Sequence, residues 1–188
     1  MNAQHPSHSP HHKNDDVLFR IVVQRAAEVE VRIGARSCGR MDRGLVVLFG
    51  VQAQGNDRDG QPRQFVSEKD KDLAVSLAKL ADKLTGLRIF SDGEGKMNLS
   101  VRDVAGGLYL ISQFTLFADC KKGFRPGFSA AARPLFAQQV YDFFVDLVKE
   151  RVGGLSVFTG EFAADMAVSL VNDGPVTIII DADVNGVR

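Results

Sequence analysis

The run from Leu110 to Ser129 constrains this chain more than any other stretch. Its first half, together with Leu108, sets Leu110, Ile111, Phe114, Leu116 and Phe117 in a segment free of breakers, and reads as a buried strand. Polar Ser112, Gln113 and Thr115 interrupt that strand. Buried hydroxyl and amide groups need partners, so they are either satisfied by nearby backbone or aimed at a ligand. At Asp119 the character changes. Lys121, Lys122 and Arg125 alternate with Gly123, Pro126, Gly127 and two phenylalanines, as in an exposed loop able to meet phosphate. A polar-lined strand end that runs into a basic loop suits a site, although a core strand followed by a solvated loop would use the same residues.

The flanking sequence supplies more strands than helices. Val17 to Val23 is β-rich, and Glu28 to Ile33 alternates strictly, with Val29, Val31 and Ile33 on one face. Gly34 and Gly39 mark turns, and the apolar run Leu45 to Val51 closes an opening three-strand region. Gln52 to Arg63, rich in glycine, reads as a mobile loop. Ser67 and Asp70 resemble a capping box, ahead of a helical stripe of Leu73, Leu77, Leu80 and Leu84 that stops at Gly86. Leu87 to Phe90 and Lys96 to Leu99 flank a turn at Ser91 to Gly95. Pro134 suits the start of a second helix, with Phe136, Val140, Phe144 and Leu147 buried and Gly153-Gly154 ending it. Met166 to Val171 and Val176 to Asp181 are final strands on either side of Asn172 to Pro175. The expected fold is α+β: β-barrel-like packed sheets with two main helices in one domain over residues 17–181. Residues 1–16 read as a disordered His-rich tail, and 182–188 as a frayed C-terminus.

Composition enters mainly by exclusion. All four histidines (His5, His8, His11, His12) lie in the tail, so a Ser-His-Asp or Cys-His mechanism and a His-ligated metal are not expected in the folded body. No metal or cofactor is expected. Two cysteines, Cys38 and Cys120, make neither a disulfide framework nor a zinc site. No run reaches membrane-spanning length, and no signal-peptide core is present, so the expectation is a cytoplasmic protein with no membrane partner. The formal net charge is zero, so contact with nucleic acid has to come from a local patch.

Ser112-Gln113-Phe114-Thr115-Leu116, then Ala118-Asp119-x-Lys121-Lys122-Gly123-x-Arg125-Pro126, and later Asn172-Asp173-Gly174-Pro175-Val176-Thr177 together resemble the D-aminoacyl-tRNA deacylases. That resemblance implies a homodimeric hydrolase. It would cleave the ester of D-aminoacyl-tRNA, and of mischarged glycyl-tRNA, as a proofreading step, with aminoacylated tRNA as partner and no DNA. It implies that Gly174-Pro175 is a cis dipeptide inserted into the partner subunit's pocket, where its carbonyl oxygens hold the amino group of a D-residue and exclude an L side chain. Arg25 stands where the family has an arginine bracing that motif, Met166 would line the pocket, and Asn172 belongs with the support of the gate.

The reaction needs an activated water and a stabilised oxyanion. Backbone N–H groups near Phe114 and Thr115 are the candidate donors, while Ser112 and Gln113 would order the terminal adenosine. Thr115 as a covalent nucleophile lacks a histidine or evident lysine base nearby in sequence; the resemblance points instead to the 2′-hydroxyl of the terminal ribose. Lys121, Lys122 and Arg125 would contact tRNA. Two residues depart from the family pattern, Cys120 for threonine and Gly127 for serine, and both bear on tRNA contact. The alternative is a non-catalytic RNA-binding or dimerisation module on the same scaffold.

Overall fold

The computed structural model describes residues 19–52 and 64–188. The His-rich tail over 1–16 and most of the loop expected over 52–63 lie outside them. The chain opens with a long hairpin, β1 (Phe19–Ile33) and β2 (Arg36–Val51), rather than with three strands. Gln24 to Ala27 does not break the first strand, because each of these residues keeps a partner on β2. Gly34 does turn the chain, but Gly39 lies inside β2. A Cβ at Gly39 would come within 2.7 Å of the Phe158 ring, so this glycine answers a close approach and not a turn.

Helix α1 (Lys71–Gly86) follows, then the small hairpin of β3 (Phe90–Ser91) and β4 (Met97–Leu99). Next come β5 (Gly107–Ser112), a 3-10 turn at Phe114–Phe117, and α2 (Pro134–Arg151). The chain ends in β6 (Val157–Thr159), β7 (Ala167–Asp183) and β8 (Gly186–Val187). The expected capping box at Ser67 does not form: Asp70 is the N-cap, and its carboxylate accepts the Val66 N–H at 2.9 Å.

Among the described residues, six strands form one mixed sheet in the order β6-β5-β2-β1-β7-β8. β2 with β5 and β5 with β6 are parallel, and each pair is joined by a connection carrying one of the helices, as parallel neighbours require. Gly44 and Gly107 face each other across the first of these pairs, where a Cβ on Gly44 would sit 1.9 Å from the Gly107 carbonyl oxygen. Among the described residues the architecture is therefore α+β, two helices against a curled, half-barrel mixed sheet.

Both faces of this sheet carry a core. Leu73, Leu77, Leu80 and Leu84 of α1 and Phe136, Val140 and Phe144 of α2 pack on Ile21, Val23, Leu45, Val47, Leu108 and Leu110. Leu147 is only half-buried, and Val148 fills the inner position one residue on. Ala26, Val29, Val31, Met41, Val46, Tyr109 and Ile111 form a second cluster. Val23 and Val29 have the same strand parity yet belong to different cores. The switch falls at Glu28, whose φ of 51° re-aims the strand.

The C-terminus expected to fray is a short hairpin instead. β8 pairs with Ala182 and Asp183, and the Asp183 carboxylate accepts the Asn185 N–H at 2.7 Å and pairs with Arg188. Ser76 of α1 donates its hydroxyl to the Asp183 carbonyl at 2.5 Å, tying this hairpin to the helical layer.

Candidate functional site

The strand through Leu110 stops at Ser112, earlier than its apolar content predicts. Gln113 donates its N–H to the Phe49 carbonyl at 2.7 Å, and Phe114 to Phe117 then close a single 3-10 turn. Phe117 is buried, whereas Phe114 is 55% exposed, so the aromatic pair expected along one strand divides between core and surface. Gly50 gives the turn its room: a Cβ there would stand 3.0 Å from the Gln113 carbonyl and 3.1 Å from the Phe117 ring. The N–H groups of Phe114 and Thr115 lead the turn, where the first donors of a helical segment have no partner within it.

Beside this turn lies a cavity of about 620 Å³. Ser112, Gln113 and Phe114 form one wall and Met166 stands on another, so four of the residues expected at the site converge. Thr115 does not line the cavity; its hydroxyl accepts a hydrogen bond from Gln113 Nε2 at 2.6 Å. Phe162, Ala163, Ala164 and Asp165 complete the wall around Met166, and the sequence signal for them is weak. They follow β6, a strand of three residues, and only the φ of 61° at Ala163 marks the sharp bend. Gly160 seats Met166, since a Cβ there would meet the thioether sulfur at 2.2 Å. On the near side, Phe128 packs edge-on to Phe114 with ring centroids 5.0 Å apart, and both line the cavity.

The basic loop stands next to this wall. Asp119 and Gly127 pair as an antiparallel bridge, each N–H donating to the other's carbonyl at 2.7 and 2.8 Å. The Asp119 carboxylate accepts the Lys121 N–H at 2.9 Å, so it shapes the loop and leaves the cations to solvent. Lys121, Lys122 and Arg125 are exposed, and none forms an ion pair among the described residues. Cys120 is an exposed free thiol, and Gly127 sits at the base of the loop.

Gly174 and Pro175 are somewhere else. They lie within one bulged strand, not in a turn between two: Thr177 pairs with Gln24 and Asn172 with Ala26, and the residues between them loop outward. The Gly174–Pro175 peptide is cis. Arg25, 9% exposed, donates from Nη1 to the Ile89 carbonyl at 2.6 Å and from Nε to the Asp173 carbonyl at 2.9 Å. Nε also lies 3.1 Å from the Asp173 carboxylate. Asn172 accepts the Val176 N–H at 3.0 Å and donates to the Thr177 hydroxyl at 2.9 Å. The bulge is thus fixed from both sides.

Neither Gly174 nor Pro175 lines the cavity of its own chain, although Val168 of the same strand does. Ser112 lies level with Phe49 and Ile21, while the bulge lies beside Gln24 to Ala26, on the strand beyond β1. In the order of the sheet the bulged strand stands three places from the strand of Ser112.

Residues 22–181 match the family model described as D-Tyr-tRNA(Tyr) deacylase. The chain is 43% identical to a D-aminoacyl-tRNA deacylase of Desulfotalea psychrophila, over 88% of this chain and 98% of that protein. It is 45% identical to the deacylase of Geobacter sulfurreducens, over 87% of this chain and 95% of that protein. Among solved structures, a c-Myc DNA unwinding element binding protein is similar at a TM-score of 0.69 and 30% identity, covering 85% of this chain and 96% of that one. A probable eukaryotic D-amino acid tRNA deacylase has the same fold at a TM-score of 0.66 and 17% identity, covering 87% and 98%.

Proposed function

Since this chain belongs to the D-Tyr-tRNA(Tyr) deacylase family, we propose that it is a D-aminoacyl-tRNA deacylase, a hydrolase that returns D-amino acids and tRNA to their free forms. The observation that carries the reading is the cavity on which Ser112, Gln113, Phe114 and Met166 converge, of a size typical for small-ligand sites. The terminal adenosine rests against Ser112 and Gln113. Water attacks the ester carbonyl, and the N–H groups of Phe114 and Thr115 face the oxygen on which charge develops. Collapse of the tetrahedral species breaks the bond to the ribose oxygen, which leaves on the tRNA. The ribose 2′-hydroxyl assists the water, and Thr115 orients Gln113 through their hydrogen bond.

Chirality is read by Gly174 and Pro175 from a second copy of the chain. Their absence from the lining of the cavity in their own chain supports that reading. So does the bracing by Arg25 and Asn172, which suits a rigid part that must fit another surface. The gate works by exclusion, so glycyl-tRNA, with no side chain to exclude, is a substrate as well. Lys121, Lys122 and Arg125 meet tRNA phosphate, and the enzyme acts in the cytoplasm, where aminoacylated tRNA is used.

The test is incubation with D-tyrosyl-tRNA and L-tyrosyl-tRNA side by side. Selective loss of the D-ester is expected. Binding of both without turnover would instead support a non-catalytic RNA-binding module.

A further inference from the structure

The basic loop holds one side chain that the deacylase reading leaves unused. Phe124 is 107% exposed, with its whole ring in water. Single exposed apolar residues are ordinary and need no explanation in themselves. Here the setting is unusual. The ring is carried at the tip of a loop closed by the Asp119–Gly127 bridge, shaped by the Asp119 carboxylate and turned at Gly123, whose φ is 65°. Lys121, Lys122 and Arg125 flank it in sequence, exposed and without an ion pair among the described residues. An aromatic ring set among solvent-facing cations is how proteins hold single-stranded nucleic acid: the ring stacks on a base, and the cations follow the backbone.

The second observation is position. Phe128, next to Gly127 at the base of the loop, packs on Phe114, and both line the cavity. Phe114 and Phe128 are also exposed, so this edge of the cavity is open to solvent, and a polynucleotide that leaves across it brings the unpaired nucleotides before its last residue within reach of the loop. We propose that Phe124 is a stacking platform for one of the unpaired nucleotides preceding the terminal adenosine of tRNA, with Lys121, Lys122 and Arg125 on the adjoining phosphates. The inference rests on the deacylase reading and deepens it, assigning a positioning residue on the RNA side of the site.

The chain contains no tryptophan, so Phe124→Trp installs a single indole at the ring's position. With uncharged tRNA, its emission should be quenched saturably. The same tRNA trimmed of its unpaired 3′ nucleotides should bind by filter retention yet leave the emission unchanged. In turnover of D-tyrosyl-tRNA, Phe124→Ala should raise KM roughly ten-fold with little change in kcat, the scale of one missing base stack. Phe124→Trp should keep KM near that of the parent.

Equal quenching by trimmed tRNA, or an unchanged KM for Phe124→Ala, would overturn the proposal. A shift in sedimentation of Phe124→Ala would overturn it as well, because the ring would then serve a protein contact. If the parent protein neither binds nor cleaves the charged tRNA, the deacylase reading fails instead, and the two failures are distinct.

Discussion

Thr115 Oγ accepts the Gln113 amide at 2.6 Å, and the turn it belongs to also exposes its backbone N–H. Two roles for this residue make opposite predictions. As a nucleophile it would carry the acyl group, and Thr115→Ala would cost several orders of magnitude, about 10⁶-fold on the scale of a serine protease. As a positioning residue it keeps its N–H after the substitution, and the loss should be on the order of ten- to a hundred-fold. We expect the smaller effect. Replacing the ribose 2′-hydroxyl with hydrogen on a 3′-linked substrate should be the more severe change. Single-turnover rates for the two perturbations give the ranking, and a trapped acyl-Thr115 adduct in mass spectrometry would reverse the assignment.

At the scale of the element, the basic loop and the C-terminal hairpin each give a prediction. Converting Lys121, Lys122 and Arg125 to glutamine should weaken tRNA binding at low salt and flatten its dependence on salt concentration. On a single strand, the slope should fall by about 0.7 for each phosphate left without its cation. Affinity measured at several salt concentrations checks this, and an unchanged slope means that RNA docks elsewhere. In the hairpin, the Asp183 side chain is 2% exposed and depends on Asn185, Gly186 and Arg188 for its partners. Deleting residues 184–188 removes these charged hydrogen bonds together with the β7–β8 pairing, a change of about 3 kcal/mol. The melting temperature should therefore drop by roughly 5 °C or more for a chain of this size. An unchanged melting temperature would mean that these residues do fray.

For the whole molecule, the question is what covers β7. Its exposed side chains include Val168, Val171 and Ile179, the last 63% exposed, on the strand that also carries Gly174-Pro175. A second copy covering this region would bury them and bring Gly174-Pro175 to the other cavity. Sedimentation should show a dimer at assay concentration, and an active monomer would refute the composite site. Mixing supplies the sharper test. A variant impaired at Ser112 and Gln113, exchanged with one lacking Gly174-Pro175, forms heterodimers with one intact site in two. Activity should then recover to about a quarter of the parent's in an equimolar mixture, given a two-fold symmetric pair.

Read alone, the sequence determined what depends on neighbours along the chain. The leucine stripe of α1, Pro134 at the start of α2 and the alternation of Val29 and Val31 are local patterns, and each lies where its period predicts. The motif around Ser112 and the one around Gly174 were legible for the same reason, as short runs of contiguous residues. What the sequence could not determine depends on residues far apart in it. Nothing local tells that Val23 and Val29 serve different cores, because the switch at Glu28 is a backbone angle fixed by the strands on either side. The strand through Leu110 ends at Ser112 in a turn packed against Gly50 of β2, whose missing side chain leaves it room. The C-terminus is ordered because Ser76, more than a hundred residues earlier, meets the Asp183 carbonyl. That the motifs around Ser112 and Gly174 stand three strands apart in the sheet is likewise a matter of strand order, which topology and register set and spacing in sequence does not.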